Sequence, residues 1–414
     1  MKIGKYIVLA SITVLFFIFQ NFTTPTKIDF QRSFINVEDT YINVEDFGAH
    51  GDDDIDDTLA IQKAIKYAFD TKAQRLVFQK KIYHLKSDFT INTIVLYGEN
   101  LSIVGNGATF LKSSNKPGQY GEALSVGGLI PGAKFPDGVT FFVHNGEFRP
   151  ARNIVISDIK IKHLKYSEKL KNQNCVGISH VDNLILKNVT CENAPQTSFA
   201  IVSHDNKTPD LPALKATRIT LDGTHSIGSK KHAYRVISYL DHHKELSDQI
   251  ELDVTIKNCT SSGVQEVDEK PFEIVGHKVN LWYRPAYNKG RLTVTNCKFD
   301  QSGKVVVSGA KVGSLKLSNN VINGGLFISK GSTKINIEKN KIQCAYSDGS
   351  PAIFLKGMQS ESTFVNNQLF NYNRGCVQDS SIENFEHSPN QVMSRYFEMI
   401  HPSSERNDFN SKSY

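Results

Sequence analysis

The sequence predicts a stacked parallel β-solenoid that begins with one short helix. Two observations favour this fold: a short phrase of alternating apolar residues returns along the chain, and a similar turn residue closes each copy. In addition, no segment after Phe69 has helical periodicity. The 414 residues would suffice for two or three ordinary domains, but solenoids reach this length as one elongated unit.

The repeated phrase ends in a small or polar turn residue, most often asparagine. Eight copies align, and their turn positions are Asp158, Asn188, Gly223, Asn258, Asn296, Asn319, Lys339 and Asn366. The period-two alternation places Leu, Ile and Val on one face of each strand, inside the coil. Asparagine suits the turn because it tolerates left-handed backbone angles. Repetition in register favours a parallel solenoid over a sandwich, which needs alternating hairpins.

The spacing between successive turn positions indicates where a site would lie. The intervals are 30, 35, 35, 38, 23, 20 and 27 residues, so the coils between Asn188 and Asn296 are the longest. Insertions in repeat proteins map to loops on one face of the stack. We therefore expect the walls of any site to come from residues 190–290.

The predicted helix lies close to the N-terminal end of the solenoid. Its run from Leu59 to Phe69 is amphipathic, and the acidic residues 52–57 precede it. Asp56 or Asp57 is the predicted N-cap, since a carboxylate suits the positive end of the helix dipole. The apolar stripe predicts that this helix covers an apolar surface.

The segments around this helix carry a family resemblance. Residues 43–52 precede the helix, and Arg75–Phe78, Tyr83 and Leu101–Phe110 follow it. This order resembles the pectate-lyase-like superfamily, in particular its branch of rhamnogalacturonan-degrading enzymes, uronan epimerases and phage tailspikes. The sequence departs from that family at residues 79–82, where a Pro and a Gly usually stand. The resemblance covers about a sixth of the chain.

The resemblance completes the prediction of the fold class. It implies an all-β, single-stranded right-handed parallel β-helix (solenoid) with an N-terminal capping α-helix, which plugs the first coil. The predicted organisation is a signal peptide or membrane anchor at 1–24, a linker at 25–42, the β-helix at 43–376, and a C-terminal cap and polar tail at 377–414. The first segment is expected because Lys2 and Lys5 precede an apolar run from Ile7 to Phe19.

The composition bounds the partners and the location. The formal net charge is +6, and the basic residues are spread without a run long enough for a nucleic-acid arm, so no nucleic-acid partner is expected. A mild positive excess suits an acidic glycan, although an ordinary basic secreted protein has the same balance. We expect a secreted or cell-envelope protein (periplasm or cell surface), with membrane contact only through an uncleaved N-terminal segment.

The cysteines and the acidic residues bound the cofactors. Six cysteines are too few and too scattered for a disulfide-built scaffold, and no close pair has metal-ligand spacing. Cys259 and Cys297 occupy the same position of successive coils, which predicts stacked buried thiols, with a disulfide across coils as the alternative. No cofactor and no metal site is predicted from the residues. Calcium is the one cofactor that analogy with lyases of this fold suggests.

Ionisable and aromatic residues cluster on the expanded coils, in three segments that a parallel solenoid would stack. The predicted catalytic residues are His204, Asp205, His232, Arg235 and Asp241. The predicted substrate-binding residues are Lys207, Tyr234, Trp282, Tyr283 and Arg284. A lyase needs a cation at the uronate carboxylate and a base near the C5 proton, whereas a hydrolase needs two carboxylates. Arg235, amid apolar strand residues, must face outward.

Each of these residues also has a structural interpretation. His204 and Asp205 would equally satisfy a turn, and Trp282 would equally pack beneath a long loop. The motifs that name a reaction in polygalacturonases, alginate-type epimerases and pectate lyases are absent from the sequence, and a fold does not transfer an activity.

The predicted function is therefore an exported carbohydrate-active protein that acts on an acidic polysaccharide by lyase, glycoside hydrolase or epimerase chemistry. The alternative is a non-catalytic β-helix that binds glycan or assists the assembly of a surface structure. A phage-type tail depolymerase fits the fold but not the export signal.

Overall fold

The computed structural model describes most of the chain between residues 41 and 393. The described residues are 41–86, 93–113, 121–127, 151–164, 173–179, 181–203, 216–238, 252–265, 278–284, 290–307, 313–329, 334–344, 353–356, 363–371, 377–378, 386–387 and 391–393. By its internal contacts the chain divides into two units, 1–39 and 40–414, and every described residue belongs to the second. The predicted signal segment and linker up to residue 40 lie outside the described residues.

The described residues form one α-helix and 32 short strands. The helix α1 spans Thr58–Thr71. The strands before the expanded coils are β1 (Tyr41–Asn43), β2 (Arg75–Val77), β3 (Ile82–Leu85), β4 (Ile94–Leu96), β5 (Gly98–Glu99), β6 (Ser102–Lys112), β7 (Gly121–Val126), β8 (Ala151–His163) and β9 (Gln173–Ile178). Those of the expanded coils are β10 (Val181–Lys187), β11 (Thr190–Glu192), β12 (Thr197–Ser203), β13 (Ala216–Asp222), β14 (His225–Ile227), β15 (His232–Ser238), β16 (Asp253–Lys257), β17 (Thr260–Ser262) and β18 (Val279–Arg284).

The remaining strands belong to shorter coils. They are β19 (Gly290–Thr295), β20 (Lys298–Phe299), β21 (Lys304–Val307), β22 (Gly313–Ser318), β23 (Val321–Ile322), β24 (Leu326–Ser329), β25 (Lys334–Glu338), β26 (Lys341–Cys344), β27 (Ile353–Lys356), β28 (Thr363–Val365), β29 (Gln368–Asn371), β30 (Val377–Gln378), β31 (Glu386–His387) and β32 (Gln391–Met393).

Each coil contributes strands to three faces of the stack. In one coil, β10 lies on the first face, β11 on the second and β12 on the third, and each pairs in parallel with its equivalent in the next coil, β13, β14 and β15. The third face is a separate sheet of ten strands, ordered β30-β27-β24-β21-β18-β15-β12-β9-β7-β4. The prediction of a right-handed parallel β-helix is confirmed.

The corner between the first and second faces is the turn that the sequence predicts. All eight aligned turn residues have positive φ, between 53° and 64°; they are Asp158, Asn188, Gly223, Asn258, Asn296, Asn319, Lys339 and Asn366. A left-handed residue costs an ordinary side chain about 1–2 kcal/mol, which explains why Asn, Asp and Gly hold seven of these positions. The aligned residues are therefore structurally equivalent corners.

From Thr224 onward, the residue after each corner points into the coil and belongs to a hydrogen-bonded ladder between coils. The backbone N of Cys297 donates to Asn320 Oδ1 (2.9 Å), that of Asn320 to Asn340 Oδ1 (2.9 Å), and that of Asn340 to Asn367 Oδ1 (3.0 Å). One coil earlier, the backbone N of Cys259 donates to Cys297 Sγ at 3.4 Å. The ladder satisfies buried polar groups along the stack axis, where water does not reach.

The cysteines follow the prediction in part. Cys259 and Cys297 are buried free thiols in successive coils, as expected, and the disulfide between coils is not formed. Cys175 and Cys191 form a disulfide with a Cα–Cα distance of 6.3 Å, which the sequence analysis missed. This bond joins the third-face strand β9 to the second-face strand β11. Its 16-residue separation gave no cue, since connectivity is not deducible from spacing.

The helix α1 covers the first coils with the face that the sequence predicts. Ile61, Ala64, Ile65 and Ala68 are buried in the main core. Asp57 occupies the N-cap position but makes no side-chain cap hydrogen bond. Instead its carboxylate accepts hydrogen bonds from the backbone N of His84 (2.9 Å) and Gly51 (3.4 Å), so it ties the preceding loop to β3.

The stack extends beyond the predicted domain boundary. The strands β30, β31 and β32 pair in parallel with β27, β28 and β29. Parallel pairing between described strands therefore continues past residue 376, where the β-helix was predicted to end, as far as Met393. Among the described residues, α1 is the only helix of eight residues or more, and none is long and apolar enough to span a bilayer.

Replacing the one ill-suited corner residue should stabilise the protein. Lys339 is exposed and has φ 56°, so Lys339→Asn should raise the free energy of unfolding by up to about 1 kcal/mol. Urea denaturation would measure the change. Lys298→Asn, at an exposed position of β20, is the control and should bring no gain, because Asn is unfavourable in strands.

Breaking the buried ladder should be costly. The Asn340 side chain accepts from the Asn320 backbone N and donates to Leu317 O (2.9 Å) and Asn367 Oδ1 (3.0 Å). Asn340→Ala leaves the buried Asn320 backbone N–H without this acceptor and removes the side-chain hydrogen bonds to Leu317 O and Asn367 Oδ1, which should lower the free energy of unfolding by about 2 kcal/mol. Gln368→Ala, at an exposed strand position, should change it by less than about 0.5 kcal/mol. Equal losses would show that the ladder adds nothing.

Candidate functional site

The outer surface of the third face carries the candidate site. On seven of its ten strands, one position is in register and points away from the core: Ser125, Gly177, Ala200, Arg235, Trp282, Val306 and Phe327. Arg235 and Phe327 are partly exposed, and the other five are buried. The flanking positions, such as Tyr234 and Val236 beside Arg235, belong to the main core. We call these seven residues the outer column.

Arg235 occupies the centre of the outer column. Its side chain is partly exposed, and its guanidinium carbon lies 5.5 Å from the centroid of the Trp282 ring on the next strand. A cation over an indole face at this distance is attracted by the ring quadrupole, which holds the guanidinium against the sheet. The prediction that Arg235 faces outward from an apolar strand is confirmed.

Arg284 adds a second cation to the same surface. It follows Trp282 by two residues, so both point to the outer side of β18, and it is partly exposed. Its register partner is Ile237, which itself follows Arg235 by two residues. The two arginines are therefore diagonal neighbours on adjacent strands, which concentrates positive charge on one patch of the third face.

Trp282 has both the position of a sugar platform and the burial of a packing residue. It lies on the outer side of the sheet, but only 7% of its surface is exposed. It packs in a small apolar cluster separate from the main core, with Ile237, Val279 and Val306 buried and Phe327 partly buried. Within the described structure its main contacts are therefore packing contacts beside Arg235.

His232 lies beneath this patch and does not line its surface. Its ring centroid lies 5.4 Å from that of Trp282, and its Nδ1 lies 3.2 Å from Thr197 Oγ1. Only 2% of the residue is exposed. The prediction of a catalytic proton-transfer role at a bound glycan is corrected, because a side chain buried to this extent supports Trp282 and does not meet substrate.

Two predicted substrate-binding tyrosines point into the core. Tyr234 is wholly buried, stacks on Phe199 with ring centroids 5.3 Å apart, and donates from its hydroxyl toward the Thr224 (2.9 Å) and Thr260 (3.0 Å) carbonyl oxygens. Tyr283 is equally buried, and burial raises its pKa far above the ordinary value. The substrate-binding prediction is wrong for both. Tyr234 precedes the outward Arg235 and Tyr283 follows the outward Trp282, and neighbouring residues of a strand point to opposite sides of the sheet.

Four of the predicted residues cannot be placed. His204, Asp205, Lys207 and Asp241 lie outside the described residues. Of the ten predicted site residues, the structure therefore brings Arg235, Trp282 and Arg284 together on the outer surface. It places the buried His232 ring against Trp282.

Glu122 is a candidate site residue that the sequence analysis missed. Its side chain on β7 reaches across Gly177 of β9: a Cβ on Gly177 would lie 2.2 Å from Glu122 Cγ and 2.8 Å from Oε1. Asn174 Nδ2 donates to Oε1 at 3.4 Å. The side chain is partly exposed, and the surrounding protein raises the pKa of the carboxyl to about 7 because burial disfavours its charged form.

One sequence feature pointed to this place. A glycine amid apolar residues, as in Val176-Gly177-Ile178, often marks a close approach by another group. Both Glu122 and Gly177 precede residues 190–290, the range from which the walls of a site were predicted. Loop length locates insertions, whereas Glu122 and Gly177 sit on strands of the third face itself.

No metal centre is seen in the part of the chain that the structure describes. Within those residues, no group of three or more His, Cys, Asp or Glu side chains could hold an ion. The acidic residues near α1 are engaged in structural contacts: Asp52 Oδ1 accepts from the Ile82 backbone N (2.8 Å), and Asp56 Oδ1 from the Thr58 backbone N (3.0 Å).

The family model for rhamnogalacturonase A/epimerase, pectate lyase-like, matches residues 41–269, more than half of the chain. The chain belongs to this family. The matched range contains Glu122, Gly177 and Arg235, and it ends before Trp282 and Arg284. The predicted resemblance to the pectate-lyase-like superfamily is confirmed. The sequence has no significant match among curated proteins.

Several solved structures are similar to this chain at low sequence identity. The surface adhesin PfbA of Streptococcus pneumoniae is 16% identical with a TM-score of 0.52, over 86% of this chain and 93% of that one. The A-module of the mannuronan C-5 epimerase AlgE4 of Azotobacter vinelandii is 14% identical (TM-score 0.47; 87% and 98%). A tailspike protein of E. coli bacteriophage HK620, in complex with a pentasaccharide, is 11% identical (TM-score 0.47; 87% and 66%).

The raised pKa of the half-buried Glu122 carboxyl should make the stability of the protein depend on pH. An unfolded Glu titrates near 4.5 and native Glu122 near 7, so between these values the native state keeps a proton that the unfolded state has lost. The contribution of Glu122 to the free energy of unfolding should therefore fall as pH rises, by at most about 1.4 kcal/mol per pH unit.

The comparison of wild type with Glu122→Gln by urea denaturation from pH 4.5 to 8 measures this fall. Asp182→Asn is the control, because the Arg218 guanidinium lowers the pKa of Asp182 and its contribution is lost only in more acidic solution. A wild-type minus Glu122→Gln difference that stays flat across this range would contradict the assignment.

Proposed function

We propose that this protein binds and acts on an acidic polysaccharide at the outer surface of the third face. Membership of a pectate-lyase-like family supports a carbohydrate ligand. The observation that carries the acidic character is the pair of outward cations, Arg235 and Arg284, on adjacent strands. A guanidinium is the side chain best suited to bind a carboxylate with two parallel hydrogen bonds.

The surroundings of Arg235 favour a glycan over a simple anion. The guanidinium lies beside an apolar cluster that contains Trp282 and the partly buried Phe327. Phe327 is the one partly exposed member of this cluster, and the apolar face of a sugar ring can pack on it, whereas a small inorganic anion would gain nothing from it. A cation beside an apolar side chain suits a uronic acid, which has both a carboxylate and an apolar ring face.

Lyase, glycoside hydrolase and epimerase chemistry are all compatible with this proposal. Arg235 would neutralise the uronate carboxylate and so ease removal of the C5 proton, which both elimination and epimerisation need. Hydrolysis would use two carboxyl groups instead. We propose calcium as an activator only by analogy with lyases of this fold, and we propose a secreted or cell-surface location, where polysaccharides occur.

A non-catalytic glycan-binding protein is the second candidate. The burial of His232, Tyr234 and Tyr283 favours it, because three side chains predicted to serve the site are unavailable to a ligand. The outward cations and apolar cluster would serve binding alone equally well.

A glycan panel tests the proposal. The protein, as residues 25–414, is incubated with uronic-acid and neutral polysaccharides, with and without calcium, and the products are analysed by mass spectrometry. Unsaturated fragments indicate a lyase, and fragments that have gained water a hydrolase. Isotope exchange at C5 without fragmentation indicates an epimerase, and binding without any product supports the second candidate. No binding and no product with any glycan contradicts the proposal.

Two matched variants test the site itself. Arg235→Ala should weaken binding of a responsive uronate glycan at least about tenfold, since it removes a charge-assisted contact. Arg291→Ala removes the same charge from the first face, where Arg291 pairs with Asp253 at 3.1 Å, and should change binding by less than about twofold. Equal effects would mean that only net charge matters.

A further inference from the structure

We propose that His232 is a positioning residue of this site: it holds the Trp282 indole in place, and the indole in turn holds the Arg235 guanidinium in the orientation that binds a uronate carboxylate. The inference rests on the proposed function, because it assigns a role toward the same ligand. It predicts that a buried histidine that does not meet the glycan nevertheless determines how tightly the glycan binds.

The first support is that one indole contacts both other side chains. The Trp282 ring centroid lies 5.4 Å from that of His232, with the ring planes 36° apart, and 5.5 Å from the guanidinium carbon of Arg235. Arg235 is the register partner of Trp282, whereas His232 precedes Arg235 by three residues on β15. The indole therefore lies between the two residues, and a shift of the indole changes its contact with both.

The second support is that His232 is itself fixed from the preceding coil. Its Nδ1 lies 3.2 Å from Thr197 Oγ1, and Thr197 is its register partner on β12. Thr197 is wholly buried and His232 is 2% exposed, so this hydrogen bond is shielded from solvent. Side-chain contacts thus join three successive strands of the third face, from Thr197 through His232 to Trp282.

The third support is the order of exposure along this series of contacts. Thr197, His232 and Trp282 are buried, and Arg235 is partly exposed. Apolar side chains of the neighbouring strands also pack with Trp282 and restrict its movement. The buried members of the series can therefore act on a ligand through Arg235, which is the member that a ligand can touch.

The physical consequence is a guanidinium that is ordered before the ligand arrives. An arginine side chain has several rotatable bonds, and ordering it during binding costs affinity. A cation held over an indole face has fewer orientations to lose. Two parallel hydrogen bonds to a carboxylate also need a defined guanidinium plane. Without His232 the indole would move more freely, so binding itself would have to order the guanidinium.

The first experiment uses the fact that Trp282 is the only tryptophan of the chain. Time-resolved fluorescence anisotropy without ligand therefore reports the local motion of this one indole. His232→Asn removes the ring that contacts Trp282 and should increase that motion. His225→Asn is the matched control, because His225 Nδ1 lies 2.8 Å from Thr260 Oγ1 in an equivalent bond between coils, but on the second face. This control should leave the anisotropy decay unchanged.

The second experiment measures binding of tetramers of galacturonic, mannuronic and glucuronic acid by calorimetry. His232→Asn should weaken binding of the responsive tetramer about three- to tenfold, because binding must then order the arginine side chain. In the Arg235→Ala background the same substitution should change binding by less than about twofold, because its effect passes through the guanidinium. His225→Asn should change binding by less than about twofold in either background, since it is remote from the site.

A second variant keeps the test decisive if His232→Asn does not fold. Thr197→Val removes the hydroxyl that holds the imidazole but leaves the His232 ring present. It should increase the local motion of the indole and weaken binding at least about twofold, and this loss should disappear in the Arg235→Ala background. Far-UV circular dichroism identifies which variants are folded.

The outcomes distinguish the inference from the function on which it rests. If Arg235→Ala weakens binding while His232→Asn leaves it unchanged, the proposed function stands and the role of His232 is wrong. Equal losses from His232→Asn with and without Arg235 would also overturn the role, because His232 would then act independently of the guanidinium. If no tetramer binds to wild type, the proposed function fails and the inference falls with it. A more mobile indole, with a loss of binding that disappears in the Arg235→Ala background, supports both.

Discussion

The structure depends on keeping the strands of successive coils in register. Two adjacent positions of each coil keep that register: the corner residue and the residue after it. The corner residue adopts a left-handed conformation that turns the chain from the first face to the second, and the next residue points inward to accept a hydrogen bond from the coil before it. In the coils from Thr224 onward, a corner without the ladder would leave buried amides unsatisfied. The corners and the ladder together determine which residues of neighbouring strands are paired. The outer column on the third face therefore depends on corners that lie between the first and second faces.

Much of the fold was predictable because these corners leave a mark in the sequence. Left-handed backbone selects Asn, Asp or Gly, and the flanking period-two alternation identifies the strands, so eight turns could be aligned. Lys339 shows the limit of this reasoning: only its place in the alignment identified it, because lysine gives no conformational signal of its own. The disulfide of Cys175 and Cys191 was not predictable, since it joins two faces across a corner of the coil.

The candidate site was less predictable, for a physical reason. A strand puts neighbouring residues on opposite sides, so a cluster in the sequence is divided between core and surface in the structure. Tyr234 and Arg235 are adjacent, yet one stacks on Phe199 in the core and the other faces outward beside Trp282. Glu122 was missed because its importance arises from Gly177, a residue 55 positions away in the chain that offers no chemistry and only leaves space.

The ladder of residues after the corners has a consequence for how such a chain changes in evolution. Thr224, Cys259, Cys297, Asn320, Asn340 and Asn367 occupy equivalent positions, and each is hydrogen-bonded to the next. A segment cut from one corner to the next therefore carries a complete set of donors and acceptors. Duplication or deletion of such a segment would reconnect the ladder without a gap. The corner-to-corner segment is thus the natural unit of recombination, and the length of the third face can change by whole coils while every remaining coil keeps its register.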